Sequence, residues 1–257
     1  MVRYSRHIDL REVGPSGQRK LSKAKVLVVG AGGLGVPVLL YLTAAGVGRL
    51  GIVDPDRISV DNLQRQVLYR EIDLKKMKAE VAQELLQARN SEIDLRVYPV
   101  PFSLDNALHL VESYDVVVDC TDNFRTRYLI NDACVKQDKP LVFAAIYKFE
   151  GQLGVFNFQH GPTYRCLFPK PPQAGEVPNC EDNGVLGVLP GVMGMYQANE
   201  VLKIILGLGN ILSGILMTVN LLTLDQKRFT FMRNEADVNR IKNRPLQAVE
   251  IDDCKLF

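Results

Sequence analysis

Lys25-Val26-Leu27-Val28-Val29-Gly30-Ala31-Gly32-Gly33-Leu34-Gly35 decides how the rest of the chain is read. Four consecutive apolar residues, Val26 to Val29, read as a short strand buried on both faces, as in a parallel sheet. Gly30, Gly32 and Gly35 then spell G-x-G-x-x-G. A helical pattern follows at once: Leu34, Val38, Leu39, Leu42 and Ala45 share one face, and Gly46 is a ready C-terminal stop. Strand, glycine turn and helix together let backbone approach a phosphate and aim a helix N-terminus at it. The glycine motif alone is weak, because a tight strand-to-helix turn that binds nothing has the same spelling. Its two flanks strengthen it.

The alternation continues downstream. Leu50 to Val53 reads as the second strand and ends at Asp54, 19 residues past Gly35. An acid there can accept hydrogen bonds from ribose hydroxyls; the plainer reading is a turn cap before Pro55. Helices are expected over about 77–90, 104–113 and 124–137, and strands over 95–100, 115–119 and 141–145. Lys78 falls in a first helical turn, where a cation opposes the macrodipole unless it meets an anion. That hints at phosphate, against a merely solvated lysine. Asp122 lies at the carboxyl end of a central strand, where open α/β sheets bind ligands, and its oxygens suit Mg²⁺. Asp122 or Asn123 can cap the helix that follows.

The pattern changes after residue 145. Residues 150–158 alternate with period two, which predicts an exposed antiparallel strand. Residues 159–184 are rich in Pro and Gly and read as a long irregular loop, usually functional at that length. Residues 191–206 predict an apolar helix, deeply buried or at a subunit interface. A closing hairpin is expected over 215–224 and 228–232. The fold class is therefore α/β: a Rossmann-like doubly wound, mostly parallel sheet extended by C-terminal antiparallel strands. We read one domain over 1–257. It has an N-terminal arm (1–24), whose Arg3, Arg6 and Arg11 read plainly as a loose basic segment before a turn at Gly14 to Gly17 and a short helix to about Ser22, then a nucleotide-binding half (25–145) and a second half (146–233). A polar, poorly ordered tail (234–257) follows, docked at most by Leu246 or Val249.

Bulk properties exclude several classes. Hydrophobic residues make up 47% of the 257, enough for a full core. Net charge is +2, from 31 basic and 29 acidic residues, which does not predict nucleic acid or an anionic membrane as partner. The N-terminus has no apolar signal-like stretch, and residues 185–222 are broken by Pro190, Asn199, Glu200 and Lys203, so no membrane span is expected. Five scattered cysteines suit a reducing compartment, and we expect a cytoplasmic protein. His7, His109 and His160 show no triad or metal spacing.

With these pieces placed, the chain resembles the ubiquitin-activating-enzyme-like adenylyltransferases of sulfur-carrier biosynthesis, the group of the ThiF, MoeB and HesA proteins. The resemblance rests on Arg3-Tyr4-Ser5-Arg6-His7, Gly30 to Gly35, Ala45 to Gly48, Asp54, Asp61-Asn62-Leu63-Gln64-Arg65-Gln66 and Lys78. It continues through Asp119-Cys120-Thr121-Asp122-Asn123, Glu150 to Gln152, Tyr164 to Cys166 and Gly187 to Gly191. It implies adenylation of the Gly-Gly carboxylate of a ubiquitin-like carrier protein, with ATP and Mg²⁺. Gly30, Gly32, Gly33, Asn62, Arg65 and Lys78 would hold phosphates, Asp54 the ribose and Asp122 the Mg²⁺, with Asp56, Asp61 and Asn123 completing the site. Arg6 resembles an arginine inserted into the partner subunit's nucleotide site, which implies a homodimer. Arg65, Lys78, Asp122 and Arg6 would carry the catalysis.

Some positions depart from the family pattern. Relatives pair cysteines C-x-x-C to hold a structural Zn²⁺, but here Thr163 replaces the first thiol of Thr163-Tyr164-Arg165-Cys166, and the tail offers Cys254 alone. No zinc site is expected. Cys180 matches a loop cysteine that links covalently to the carrier in some relatives. Its neighbours Glu181 and Asp182 would raise its pKa rather than lower it. Cys120 and Cys134 read as small core residues. No rhodanese-like segment is recognisable, so a separate sulfur donor is expected. Competing readings are an NAD(P)-dependent oxidoreductase, an enzyme activating another carboxylate (a modified tRNA base or a peptide), and a carrier-binding scaffold without activity. The first leaves Asn62 to Gln66 unexplained.

Overall fold

The computed structural model describes residues 2–172 and 184–249. An eight-stranded sheet runs in the order β3-β2-β1-β4-β5-β6-β7-β8. Its parallel part comprises β1 (Lys25–Val29), β2 (Arg49–Val53), β3 (Asp94–Tyr98), β4 (Val116–Asp119) and β5 (Leu141–Tyr147). The antiparallel part adds β6 (Glu150–Phe156), β7 (Ile215–Asn220) and β8 (Gln226–Thr230).

The β1 run is apolar throughout because both faces are covered. Val26 and Val28 enter one core together with Leu39 and Leu42 of helix α3 (Gly35–Ala45), Leu86 of α4 (Lys78–Arg89) and Val201 of α8 (Val188–Leu206). Leu27 and Val29 enter the other, with Leu110 of α5 (Ala107–Glu112), Tyr128 of α6 (Phe124–Lys136) and Tyr164 of α7 (Tyr164–Leu167). Each fully buried aliphatic side chain contributes about 2 kcal/mol. Gly46 ends α3 in the left-handed conformation (φ +77°), as its position predicts.

Three expectations are corrected. First, β6 is not exposed: Leu153 to Phe156 are buried, and β6 pairs with strands on both sides. Its glycines explain the error. A Cβ at Gly151 would stand 2.3 Å from Met193 Sδ, so the glycine admits α8 against the strand. Second, the N-terminal arm is not loose. Residues 2–4 form a 3-10 turn followed by α1 (Ser5–Ile8), while α2 (Gly14–Lys23) is the short helix expected to end near Ser22, begun at the turn residues themselves. The Tyr4 ring lies where a Cβ on Gly46 would be (2.5 Å), Tyr4 Oη accepts from Asn90 Nδ2 (2.9 Å), and Arg3 donates to Arg89 O (3.0 Å). Third, the tail holds α9 (Glu235–Asn243), capped by the Asn234 side chain on Ala236 N–H and Asp237 N–H. Val238 and Ile241 bury against Val135 and Cys166. Leu246 and Val249 are half-buried against the core, as read from the sequence. Among the described residues no helix is long and apolar enough to cross a membrane.

Candidate active site

The carboxyl ends of β1, β2 and β4 open into a cavity of about 790 Å³. Connections diverge on either side of β1 there, which leaves a crevice. Gly30 leaves β1 with φ +97°, and its N–H donates to Val53 O at 2.8 Å. A Cβ on Gly30 would stand 2.5 Å from Cys120 O, and one on Gly35 would stand 1.9 Å from Gly30 O. The turn is thus as tight as bare backbone permits. Gly32 and Gly33 line the cavity, with Pro190 and the Arg65 side chain packed close to Gly33.

Asp54, at the end of β2, fastens this turn. Its Oδ2 accepts from Ala31 N–H at 2.7 Å and its Oδ1 from Asp56 N–H at 2.8 Å. Each oxygen keeps a lone pair for a further donor. Burial pushes the Asp54 carboxyl above its ordinary pKa, opposed by the Lys78 charge and the two N–H groups. Lys78 opens α4 and is 5% exposed, not solvated; its Nζ meets Asp56 Oδ2 at 2.9 Å. Tyr69 donates to Ala31 O at 2.7 Å and so ties the turn to the segment that carries Arg65.

Asn62 and Arg65 also line the cavity. Asp61 orients both: its Oδ2 accepts from Asn62 Nδ2 (2.8 Å) and its carbonyl from Arg65 Nη1 (3.0 Å). On the far wall, Asp122 and Asn123 precede α6. Asn123 caps that helix by accepting from Thr126 N–H at 2.8 Å, and Asp122 Oδ1 receives the Asn123 amide at 3.4 Å. Asp122 is half-buried on the cavity wall, and the Asn123 amide is a side-chain donor that meets it.

The fold therefore brings Gly30, Gly32, Gly33, Asp54, Asp56, Asp61, Asn62, Arg65, Lys78, Asp122 and Asn123 to one cavity. Arg6 is exposed and lies outside it. Cys180 and Cys254 lie outside the described residues. Among the described residues no three His, Cys, Asp or Glu side chains cluster to hold a metal ion. Cys120 and Cys134 are buried, as read from the sequence, and burial pushes both thiols up.

Sequence reasoning missed Arg127 and Gln197. Arg127 is 3% exposed, pairs with fully buried Asp119 (3.4 Å), donates to Thr121 O (3.1 Å) and lies over the Phe143 ring. This braces Thr121, the residue before Asp122. Its spacing, one helical turn beyond the Asn123 cap, was a usable signal. Gln197 of α8 donates to Asp119 O at 2.7 Å and accepts the Cys120 thiol at 3.5 Å. Nothing in the local pattern of that apolar helix marks it.

The sequence profile of the ThiF family matches residues 4–241. A sulfur carrier protein adenylyltransferase of Thermus thermophilus is 53% identical over 237 residues, which is 90% of this chain and 88% of that one. The adenylyltransferase and sulfurtransferase MOCS3 of Aedes aegypti is 50% identical over 254 residues, 99% of this chain and 54% of that one, so this chain spans about half of MOCS3. Among solved structures, E. coli MccB with ATP is similar at TM-score 0.76 and 25% identity, covering 90% of this chain and 72% of that one. With the glycine turn, its acidic clasp and that match over most of its length, the chain belongs to the ThiF family.

Proposed function

We propose that the chain adenylates the C-terminal Gly-Gly carboxylate of a ubiquitin-like sulfur-carrier protein. A carboxylate oxygen attacks the α-phosphorus of ATP, the bond to the bridging oxygen breaks, and pyrophosphate leaves. The acyl adenylate then has a good leaving group for later sulfur transfer. The observation that carries this reading is the convergence of Arg65 and Lys78 with the bare glycine turn and Asp54 in one cavity. Cations held by the fold face the place where charge gathers on the transferring phosphoryl group and the departing pyrophosphate.

In this reading Asp54 takes the ribose hydroxyls on its spare lone pairs, and the Gly32 and Gly33 amides take phosphate oxygens. Asn62, Arg65 and Lys78 hold the phosphates. Asp122, a carboxylate on the cavity wall, fits a hard cation, and Mg²⁺ bound there would neutralise phosphate charge. Arg6, exposed and outside its own cavity, is assigned to the site of a second copy, which makes the enzyme a homodimer. The relative named a sulfur carrier protein adenylyltransferase stands at 53% identity, against 25% for MccB, which favours a carrier protein over another carboxylate substrate. We place the enzyme in the cytoplasm.

The test is ATP–pyrophosphate exchange with each candidate Gly-Gly carrier and with none. Exchange that depends on one carrier supports the reading and names its partner. A folded protein that binds ATP yet exchanges with no carrier contradicts it.

A further inference from the structure

Among the described residues four buried side-chain polar atoms lack a hydrogen-bond partner: Thr43 Oγ1, Gln66 Oε1, Asp119 Oδ2 and Arg127 Nε. The last two face each other as an ion pair. Gln66 Oε1 has no such counterpart. The residue is 3% exposed and lies on the wall of the nucleotide cavity, beside the glycine turn. Its Nε2 is 3.5 Å from where a Cβ on Gly32 would stand. Its main chain is fully used by the local turn, with N–H donating to Asn62 O (2.9 Å) and C=O accepting from Tyr69 N–H (3.1 Å).

Folded proteins rarely leave a buried acceptor unpaired, and an apolar side chain of the same length would fill this space without one. A glutamine here gains its partners when the cavity fills. We propose that Gln66 is a phosphate-contacting residue of the nucleotide site. Its amide swings toward the cavity, Nε2 donates to a phosphate oxygen held beside Gly32, and Oε1 leaves its unpaired position for the donors gathered around the phosphates. The proposal rests on the ATP reading above and adds to it a neutral donor that senses occupancy.

The experiment compares wild type, Gln66→Met and Gln66→Glu by equilibrium binding of ATP with Mg²⁺ and by thermal unfolding without nucleotide. Without nucleotide, Gln66→Met should unfold at or above the wild-type temperature, because the unpaired acceptor is gone. Its ATP dissociation constant should rise about tenfold or more. Gln66→Glu should bind more weakly still, since a carboxylate would face the phosphates. A purely structural glutamine gives the opposite pattern: lower unfolding temperature with ATP affinity within about twofold of wild type, and that result overturns the proposal. Should Gln66→Met not fold, Gln66→Glu decides alone, and wild-type affinity in that variant overturns the proposal. Failure of the wild-type protein to bind ATP instead overturns the reading of the site beneath it.

Discussion

Lys78 Nζ lies 2.9 Å from Asp56 Oδ2, and the same two residues are joined by Lys78 N–H donating to Asp56 O, also at 2.9 Å. The lysine side chain is 6% exposed and the aspartate side chain 58% exposed. A buried ammonium at the first position of α4 is unfavourable beside the helix dipole, and Asp56 offsets this from the solvent side. An arriving phosphate would find the cation already placed. Lys78→Ala is therefore expected to fold and to lose at least about 10²-fold in carrier-dependent exchange. Near-wild-type turnover by the folded variant would remove Lys78 from the mechanism.

The glycine turn separates packing from ligand approach. A Cβ on Gly35 would stand 1.9 Å from Gly30 O, whereas one on Gly32 would meet nothing closer than Gln66 Nε2 at 3.5 Å. Gly35→Ala should lower stability by about 1–3 kcal/mol or more, because backbone must move. Gly32→Ala should leave denaturant unfolding almost unchanged while weakening ATP binding. Equal stability losses in the two variants would contradict this geometry.

Arg6 is exposed on the docked N-terminal segment, and its place in the site of a second copy is a proposal that subunit mixing tests. Arg6→Ala and Lys78→Ala should each be inactive alone. Mixed and allowed to exchange subunits, half of the dimers are hybrids, and one of the two sites in each hybrid is intact. Activity should return to roughly a quarter of wild type. No recovery in a mixture shown to contain hybrid dimers would place Arg6 elsewhere.

Acid stability should report on the turn that leads into α4. Asp73 is 1% exposed; hydrogen bonds from the Arg70 side chain, opposed by burial and aided by Lys76, hold its carboxyl down at about 2. A depressed folded-state pKa means stability that is present above the unfolded value of 3.8 and lost as pH falls toward 2. Asp73→Asn should be less stable than wild type at neutral pH, with the gap closing between about pH 4 and pH 2. Urea unfolding at both ends of that window measures it; a gap independent of pH would contradict the assignment.

The parallel half was legible because continuous apolar strands, a glycine turn and capped helices announce themselves locally. Asp54, Lys78 and Asp122 were legible from their places at strand and helix ends. What local pattern could not show was anything that depends on a distant partner. Gly151 hides the burial of β6, since a missing side chain gives no apolar signal while it admits Met193. Helix α9 buries Val238 and Ile241 alone, so polar composition outweighed its Asn234 cap. Gln197 reaches Asp119 from the far half of the chain, which no spacing rule foretells. The role of Cys180 falls outside the described residues.

In the reaction proposed for this cavity, a carrier's terminal carboxylate takes the adenylyl group of ATP through its α-phosphorus and pyrophosphate leaves. The most direct measurement incubates the protein with carrier and ATP labelled on the α-phosphate, then locates the label by mass spectrometry of the quenched carrier. Labelled adenylate is expected on the carrier's C-terminal glycine, and none with Arg65→Ala. Label found on the enzyme alone, or released as free AMP with the carrier unmodified and never adenylated, would contradict it.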